Sequence, residues 1–399
     1  MSKNIHKNIK LAYLISCFAS SWFWLGVWIF YYLRFTNYAG VGLMETIYIA
    51  TNIIVAIPGG VIADILGKKT TVIIAFFLQV VGGVTMGFAS NLTMLAISII
   101  ILTTGSTLFA SSFEALVYDS LKEIKKENLF DKIIANIKSI SLVSPAIAGV
   151  IGGYLYTLSS SLPFFATALF YFFGLISSLF LSEPSIDTQK YSLSDFVKQT
   201  KTGWKELTKS SIITKQTILL VSIGVIVVIV NEVIDGILGI EFGFNETQMG
   251  VLWAIILLIC AGASQLTSKV SRYLTEKKAV FLFGLIVAFS LIISPALGII
   301  VGGGVLIIRN ATITLYHNFS SILVNKHTAS RYRATTLSTF NMLKNIPYMA
   351  SAYLIGHLAD SFSAKYTAAL LGLLLTVFLG IQYLVSRKAT TALKSSPTA

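Results

Sequence analysis

An all-α integral membrane protein with twelve spanning helices is the fold that the sequence predicts. Its 399 residues are 55% hydrophobic and only 12% charged, with a mean hydropathy of +0.79, whereas ordinary soluble domains carry about 25% charged residues. Twelve apolar segments are long enough to cross a bilayer, which needs about 20 residues for each helix. The basic residues collect on one side of the resulting topology, as the positive-inside rule requires.

The spans follow one another through short connections, with a single long break. We place them near residues 10–33, 39–63, 71–89, 93–117, 133–157, 163–182, 213–238, 247–268, 278–297, 300–323, 335–358 and 366–386. The break at 183–212 is polar and rich in lysine. It divides the chain into six spans in 1–182, a linker, and six spans in 213–399. Apolar residues of the linker recur at helical spacing, which favours a helix on the inner membrane surface; a disordered linker fits nearly as well.

Charge sets the orientation of the spans. Among the 30 Lys and Arg residues, only Arg34 and Lys365 lie in external loops, and Lys138, Arg309 and Lys344 lie within spans. The sequence therefore predicts a multi-pass protein with both termini and the 183–212 linker in the cytoplasm. The net charge of +13 is then explained by anionic lipid headgroups, so no nucleic acid is expected as a partner.

Aromatic residues mark span 1, which we interpret as an uncleaved first helix because its apolar run is too long for a signal peptide. Trp24 and Trp28 are four residues apart, so in a helix they share one face. That face could stack a flat or cationic substrate. An interfacial aromatic belt explains the same residues.

A short loop between spans 2 and 3 carries the most specific motif. This stretch resembles the loop between helices 2 and 3 of the major facilitator superfamily, whose pattern is Gly-x-x-x-Asp-x-x-Gly-basic-basic. The matching positions are Gly60, Asp64, Gly67, Lys68 and Lys69. The resemblance covers the whole chain and implies two six-helix bundles related by a pseudo-twofold axis along the membrane normal.

The resemblance also implies a conformational gate. In the superfamily the acid that matches Asp64 meets the start of helix 11, and here that start follows Arg331 and Arg333. We expect closure of the gate to favour the outward-facing state. The alternative is that both arginines pair with lipid headgroups.

Two departures weaken the resemblance to drug–proton antiporters of this superfamily. Those antiporters carry an arginine on helix 4, whereas no basic residue occurs between Ser90 and Leu121. Their Gly-Pro-x-x-Gly-Gly signature on helix 5 is matched only in part, because Ser144 and Ala148 stand where glycines are expected. Small residues at this spacing also serve helix packing alone.

Ionisable and amide groups inside spans are costly, so each is a candidate for the substrate or proton pathway. Arg309 is the most informative, either as a partner of substrate or proton or in a structural ion pair with a carboxylate. Among the acids, Glu114 is the favoured proton carrier, and an interfacial, solvated role fits Asp235 equally well. The remaining candidates are Glu45, Glu232, Asn52 and Asn310.

These features predict a secondary active transporter that works by alternating access. The chain has no Walker loop, no metal-binding pattern and no Gly-x-Ser-x-Gly motif, so we expect neither an enzyme nor a bound cofactor or metal. We expect a monomer in a bacterial-type plasma membrane that exports amphipathic small molecules in exchange for protons. The alternative is proton-coupled uptake of a polar or anionic nutrient; a membrane protein without transport activity is a more distant one.

Overall fold

A computed structural model describes residues 2–185 and 193–395, and every regular element within them is a helix. The α-helices are α1 Ser2–Ala19, α2 Trp28–Tyr32, α3 Tyr38–Leu66, α4 Lys68–Gly87, α5 Leu92–Glu123, α6 Phe130–Leu158, α7 Leu162–Leu179, α8 Leu193–Leu207, α9 Ser211–Ile229, α10 Asp235–Phe242, α11 Glu246–Gln265, α12 Thr267–Tyr273, α13 Glu276–Ile292, α14 Ile299–Lys326, α15 Arg333–Phe362 and α16 Ala364–Ser395. One π-helical turn, Val230–Ile234, joins α9 to α10.

Nine helical segments among the described residues are long and apolar enough to cross a membrane. They account for all the predicted spans except 10–33, 278–297 and 335–358. The last of these is the continuous helix α15, which carries several polar side chains. The span predicted for 278–297 ends earlier than expected, because α13 stops at Ile292 before a short 3-10 turn that contains Pro295.

The prediction of one continuous helix over 10–33 is wrong. The α-helix stops at Ala19 and resumes only at Trp28. The backbone between them is held from outside, since the Phe23 N–H donates to the Thr167 hydroxyl of α7 at 3.1 Å. Gly152 of α6 packs directly on the Phe23 carbonyl, and an added Cβ there would lie 1.6 Å from the carbonyl oxygen. Irregular backbone at membrane depth is tolerated where protein covers it in this way.

The chain forms two compact units. The first comprises Met1–Val197 and Phe244–Leu258, and the second comprises Lys198–Gly243 and Ile259–Ala399. In the first unit, α4 packs against α5 and α7, and α3 packs against α5. In the second unit, α13 packs against α14 and α16, and α9 packs against α15. The division at 1–182 and 213–399 stays a prediction.

The linker predicted at 183–212 contains helix α8, while its residues 186–192 lie outside the described residues. Gly203 of α8 lies against α15, where an added Cβ would approach the Thr339 hydroxyl to 2.1 Å. A glycine lowers helix propensity by about 1 kcal/mol relative to alanine. Here its missing side chain allows α8 and α15 to pack closely.

Candidate functional site

The loop motif forms a tight turn between α3 and α4. Gly67 has φ +88°, a conformation that residues with a side chain rarely adopt. Both oxygens of the Glu183 carboxylate accept hydrogen bonds from the first turn of α4, from the Lys68 N–H at 2.6 Å and the Lys69 N–H at 2.7 Å. A carboxylate at a helix N-terminus satisfies free N–H groups and complements the helix dipole. Glu183 therefore fixes the turn.

Lys68, which the sequence places in the loop between spans 2 and 3, is buried in the first unit. It begins α4, is only 7% exposed, and forms an ion pair with Asp119 of α5, which is 2% exposed. The carboxylates of Asp64 and Glu183 also lie close enough to Lys68 to act on its charge. The motif thus anchors a charged cluster of the first unit, whose buried members are Lys68 and Asp119.

A second carboxylate cap has the same geometry in the other unit. Between α15 and α16 the backbone turns at Ser363 with φ +68°. The Glu241 carboxylate accepts from the N–H groups of Ala364 and Lys365 at 2.7 and 3.1 Å. Each unit therefore contains one helix-to-helix turn closed by a glutamate that is distant in sequence.

The two arginines assigned to the gate are exposed at the start of α15. The Arg331 guanidinium lies over the Tyr332 ring, 4.4 Å from its centroid. Arg333 is the first residue of α15. Both arginines belong to the second unit and Asp64 to the first, so their pairing stays a prediction.

The tryptophans of span 1 lie at its interruption. Trp24 is in the irregular stretch and stacks on Trp22, with ring centroids 5.8 Å apart and planes inclined by 20°. Trp28 begins α2 and packs edge-on against Tyr32 at 5.2 Å. The two indoles thus contact different aromatic neighbours. The continuous helix that the sequence predicts, which would place both on one face, is broken between Ala19 and Trp28.

The π-helical turn interrupts the first span of the second half. Its extra residue per turn rotates the side chains that follow, and such turns are frequent at functional sites. Glu232 lies within the turn, half-buried, with its carboxylate 3.3 Å from the Asn231 amide nitrogen. Asp235 follows the turn, is 1% exposed, and faces the interior of the unit.

Arg309 and Asn310 of α14 converge on Asp235. The Arg309 Nη2 lies 2.5 Å from one carboxylate oxygen, and the Asn310 amide donates to the other at 2.7 Å. Arg309 is completely buried, and its Nε and Nη1 have no acceptor among the described residues. Sequence spacing did not indicate this cluster, because its members lie on helices more than 70 positions apart.

The other candidates are dispersed. Glu114 of α5 is exposed and lies 3.8 Å from the Lys138 ammonium of α6. Glu45 of α3 is buried, and close enough to Tyr32 for the two groups to interact. The Asn52 amide donates to the Thr107 hydroxyl at 3.1 Å, which joins α3 to α5.

Lys344 was noted as a lysine inside a span but was not singled out. It lies in α15, is 5% exposed, and its ammonium lies 4.7 Å from the centroid of the Phe340 ring. Among the described residues, no group of three or more His, Cys, Asp or Glu side chains could hold a metal ion.

Sequence comparison agrees with this architecture. The model of the Major Facilitator Superfamily matches residues 10–352. YxaM of Bacillus subtilis strain 168, described as an uncharacterized MFS-type transporter, is 22% identical over 371 residues, which cover 88% of this chain and 90% of that protein.

Several solved transporters share the fold. The nucleoside transporter NupG superposes with a TM-score of 0.73 at 13% identity, covering 96% of this chain and 98% of NupG. A POT family transporter in complex with a thioalcohol-conjugated peptide gives 0.72 at 14% identity and 96% coverage of both chains. A bacterial homologue of the iron transporter ferroportin gives 0.70 at 13% identity, covering 95% and 98%. Since the family model spans most of the sequence and the fold agrees along its length, this chain belongs to the Major Facilitator Superfamily.

Proposed function

We propose that this chain exports amphipathic small molecules in exchange for protons by alternating access. One observation carries the proposal: the first span of each half departs from a regular α-helix, through a break at residues 20–27 and through a π-helical turn at Val230–Ile234. Broken helices are typical of transport sites in such proteins, and π-helical turns are frequent at functional sites. We therefore assign cargo recognition to these two segments.

The chemistry of the segments suits an amphipathic cargo. The first segment presents the partly exposed Trp22 and Trp24, whose ring faces can stack on an apolar or aromatic group. The second leads into the charged cluster of Asp235 and Arg309. Aromatic surface and a charged group are the two kinds of partner that a molecule with an apolar body and a polar end requires.

Proton coupling requires a carboxylate that gains and loses a proton as the protein changes state. Glu114 is the favoured carrier because it is exposed and has Lys138 at 3.8 Å. A proton on Glu114 would release the lysine, and loss of the proton would restore the pair. Glu45 and Glu232 are the other two span glutamates with this capacity.

The test combines growth with vesicle transport. Cells with and without the protein are exposed to a panel of toxic amphipathic compounds, and each protective compound is added to inverted vesicles that hold a pH gradient. We expect protection by the wild type and dissipation of the gradient on addition. If no compound does both, proton-coupled export is refuted.

Glutamine variants then locate the carrier. Glu114→Gln keeps the side-chain shape and removes the ionisation, so we expect transport that no longer follows the pH gradient. Glu127→Gln is the matched control, because Glu127 is an exposed glutamate in the turn that follows α5. If the Glu114, Glu45 and Glu232 variants all keep the wild-type pH dependence, the proton is carried by none of them.

Uptake of a polar or anionic nutrient with protons is the second candidate. The buried Arg309 favours it, since two of its nitrogens lack an acceptor and a guanidinium binds carboxylate or phosphate well. Accumulation of cargo in right-side-out vesicles, driven by an inward proton gradient, would favour uptake over export.

The loop motif completes the proposal as a conformational gate in a bacterial plasma membrane with cytoplasmic termini. The positive-charge distribution and the Bacillus relative support this location. Asp64→Asn should leave the protein folded and inserted but slow its transport, because Asp64 lies beside the buried Lys68. Unchanged transport by this variant would mean that the motif sets only the membrane orientation of the loop and does not act as a gate.

A further inference from the structure

Lys344 is a cation in the interior of the second unit. Its side chain passes over Gly224 of α9, where an added Cβ would lie 2.4 Å from the lysine Cδ. The Tyr316 hydroxyl of α14 borders the same place, 2.8 Å from that Cβ position. Three helices of one unit therefore enclose the stem of this lysine, and the glycine provides the room.

The charge of Lys344 is not paired. The ion pairs observed among the described residues do not include Lys344. Asp235 is engaged by Arg309 and Asn310. Glu232 lies eight residues beyond Gly224 along the chain, or about 12 Å at the α-helical rise.

Two aromatic groups flank the ammonium of Lys344. The Phe340 ring lies 4.7 Å away from it. His317 follows Tyr316 in α14 and is exposed. It lies close enough to the ammonium to interact with it electrostatically. The site thus combines an ammonium, an imidazole, a phenol hydroxyl and an aromatic face.

The energies favour a bound anion. A lysine at the centre of a membrane helix is costly to bury. A cation–π contact with the Phe340 ring recovers only part of this cost. An anion in contact with the ammonium would supply the rest.

We propose that Lys344 binds the acidic group of the cargo, an amphipathic organic carboxylate whose apolar part packs on Phe340. His317 donates a hydrogen bond to the same group, while the Tyr316 hydroxyl donates to the Leu220 carbonyl and so only borders the site. This assignment rests on the proposed transport function and names the class of molecule that is carried. It leaves the direction of transport open.

Direct binding tests the site independently of transport. The purified full-length protein is placed in nanodiscs of zwitterionic lipid, and its affinity for 4-phenylbutyrate is compared with that for 4-phenylbutanol and 4-phenylbutylamine. These probes share the apolar part and differ in charge. We expect the carboxylate to bind at least tenfold more tightly than the alcohol, and equal affinities would overturn the proposal. Failure of the growth and vesicle assays would refute export and leave this result standing.

Variants assign the selectivity to Lys344. Lys344→Met keeps the length of the side chain and should weaken carboxylate binding at least tenfold with little change for the alcohol. Lys344→Arg should keep the preference for the carboxylate. Lys326→Met is the control, because Lys326 is an exposed lysine of α14 that pairs with Glu276. Removal of a buried charge should not unfold the protein, so a folded Lys344→Met variant with wild-type selectivity would overturn the proposal.

A lipid phosphate could satisfy the same ammonium. The measurement is therefore repeated in nanodiscs that contain phosphatidylglycerol. Unchanged carboxylate affinity supports a cargo site. Loss of carboxylate binding in these nanodiscs would assign Lys344 to a lipid headgroup and overturn the cargo assignment.

Discussion

The buried pair of Lys68 and Asp119 predicts an asymmetric response to mutation. Lys68→Met leaves the Asp119 carboxylate at 2% exposure without its ion-pair partner. Removing one member of a buried pair typically costs about 3–5 kcal/mol. Asp119→Asn leaves the lysine close to Asp64 and Glu183 and keeps a side chain that accepts hydrogen bonds. We therefore expect a smaller cost, about 1–3 kcal/mol.

Unfolding of the purified variants in detergent measures this difference. The free energy of unfolding is obtained from denaturant titrations followed by circular dichroism. Lys68→Met should be at least about 1.4 kcal/mol less stable than Asp119→Asn, which is tenfold in the ratio of folded to unfolded protein. Lys69→Met is the control, because it is the adjacent lysine and its backbone N–H to Glu183 is retained; we expect little change.

A double variant completes the cycle. Replacing both partners with apolar residues, Lys68→Met with Asp119→Leu, removes the charges together and should recover most of the loss, since buried pairs are often replaceable in this way. The reasoning is refuted if Asp119→Asn is as harmful as Lys68→Met, or if the double variant is no more stable than Lys68→Met alone.

Three further predictions concern packing, pH and topology. Gly152→Ala should destabilise the protein by about 1–3 kcal/mol through overpacking, whereas Gly304→Ala, which meets nothing within 4 Å, should not; equal melting temperatures would contradict the observed contact. The Lys326 side chain lowers the pKa of Glu276 below its usual 4.5, so this pair stabilises the protein above that pH and is lost on acidification. Glu276→Gln should therefore cost less than about 1 kcal/mol at pH 7 and nothing below the folded pKa, and a constant difference in stability across this range would argue against the pair. A cysteine at Ser395 should resist an impermeant thiol reagent in intact cells, and labelling from outside would overturn the predicted orientation.

The sequence was informative where a property is local. Span length, apolar composition and the distribution of lysines encode most of the helices, because the bilayer imposes each of them separately. The loop motif was also recognisable, since its glycines and charges lie within ten residues.

Properties that depend on distant contacts could not be predicted. Nothing near Ser20 distinguishes the break in span 1 from a continuous helix, because the break is stabilised by Thr167 and Gly152. In the same way, the sequence places Lys68 in a short loop and does not indicate its pairing with Asp119, which is 51 residues away. Arg309 was recognisable as a costly residue, but its partner was not.

The two carboxylate caps have a consequence for biosynthesis. Glu183 lies 115 residues after the first N–H group that it caps. At about 5–20 residues per second, the start of α4 therefore remains uncapped for about 6–23 s during translation. Glu241 precedes its first donor by 123 residues. The carboxylate that caps α16 has therefore already been synthesised when α16 is made. The first turn therefore closes only when six spans have left the ribosome, while the second can close as soon as its helix emerges. A nascent chain arrested before residue 183 should keep the α3–α4 turn open to protease or thiol reagents, and one extended past this residue should protect it.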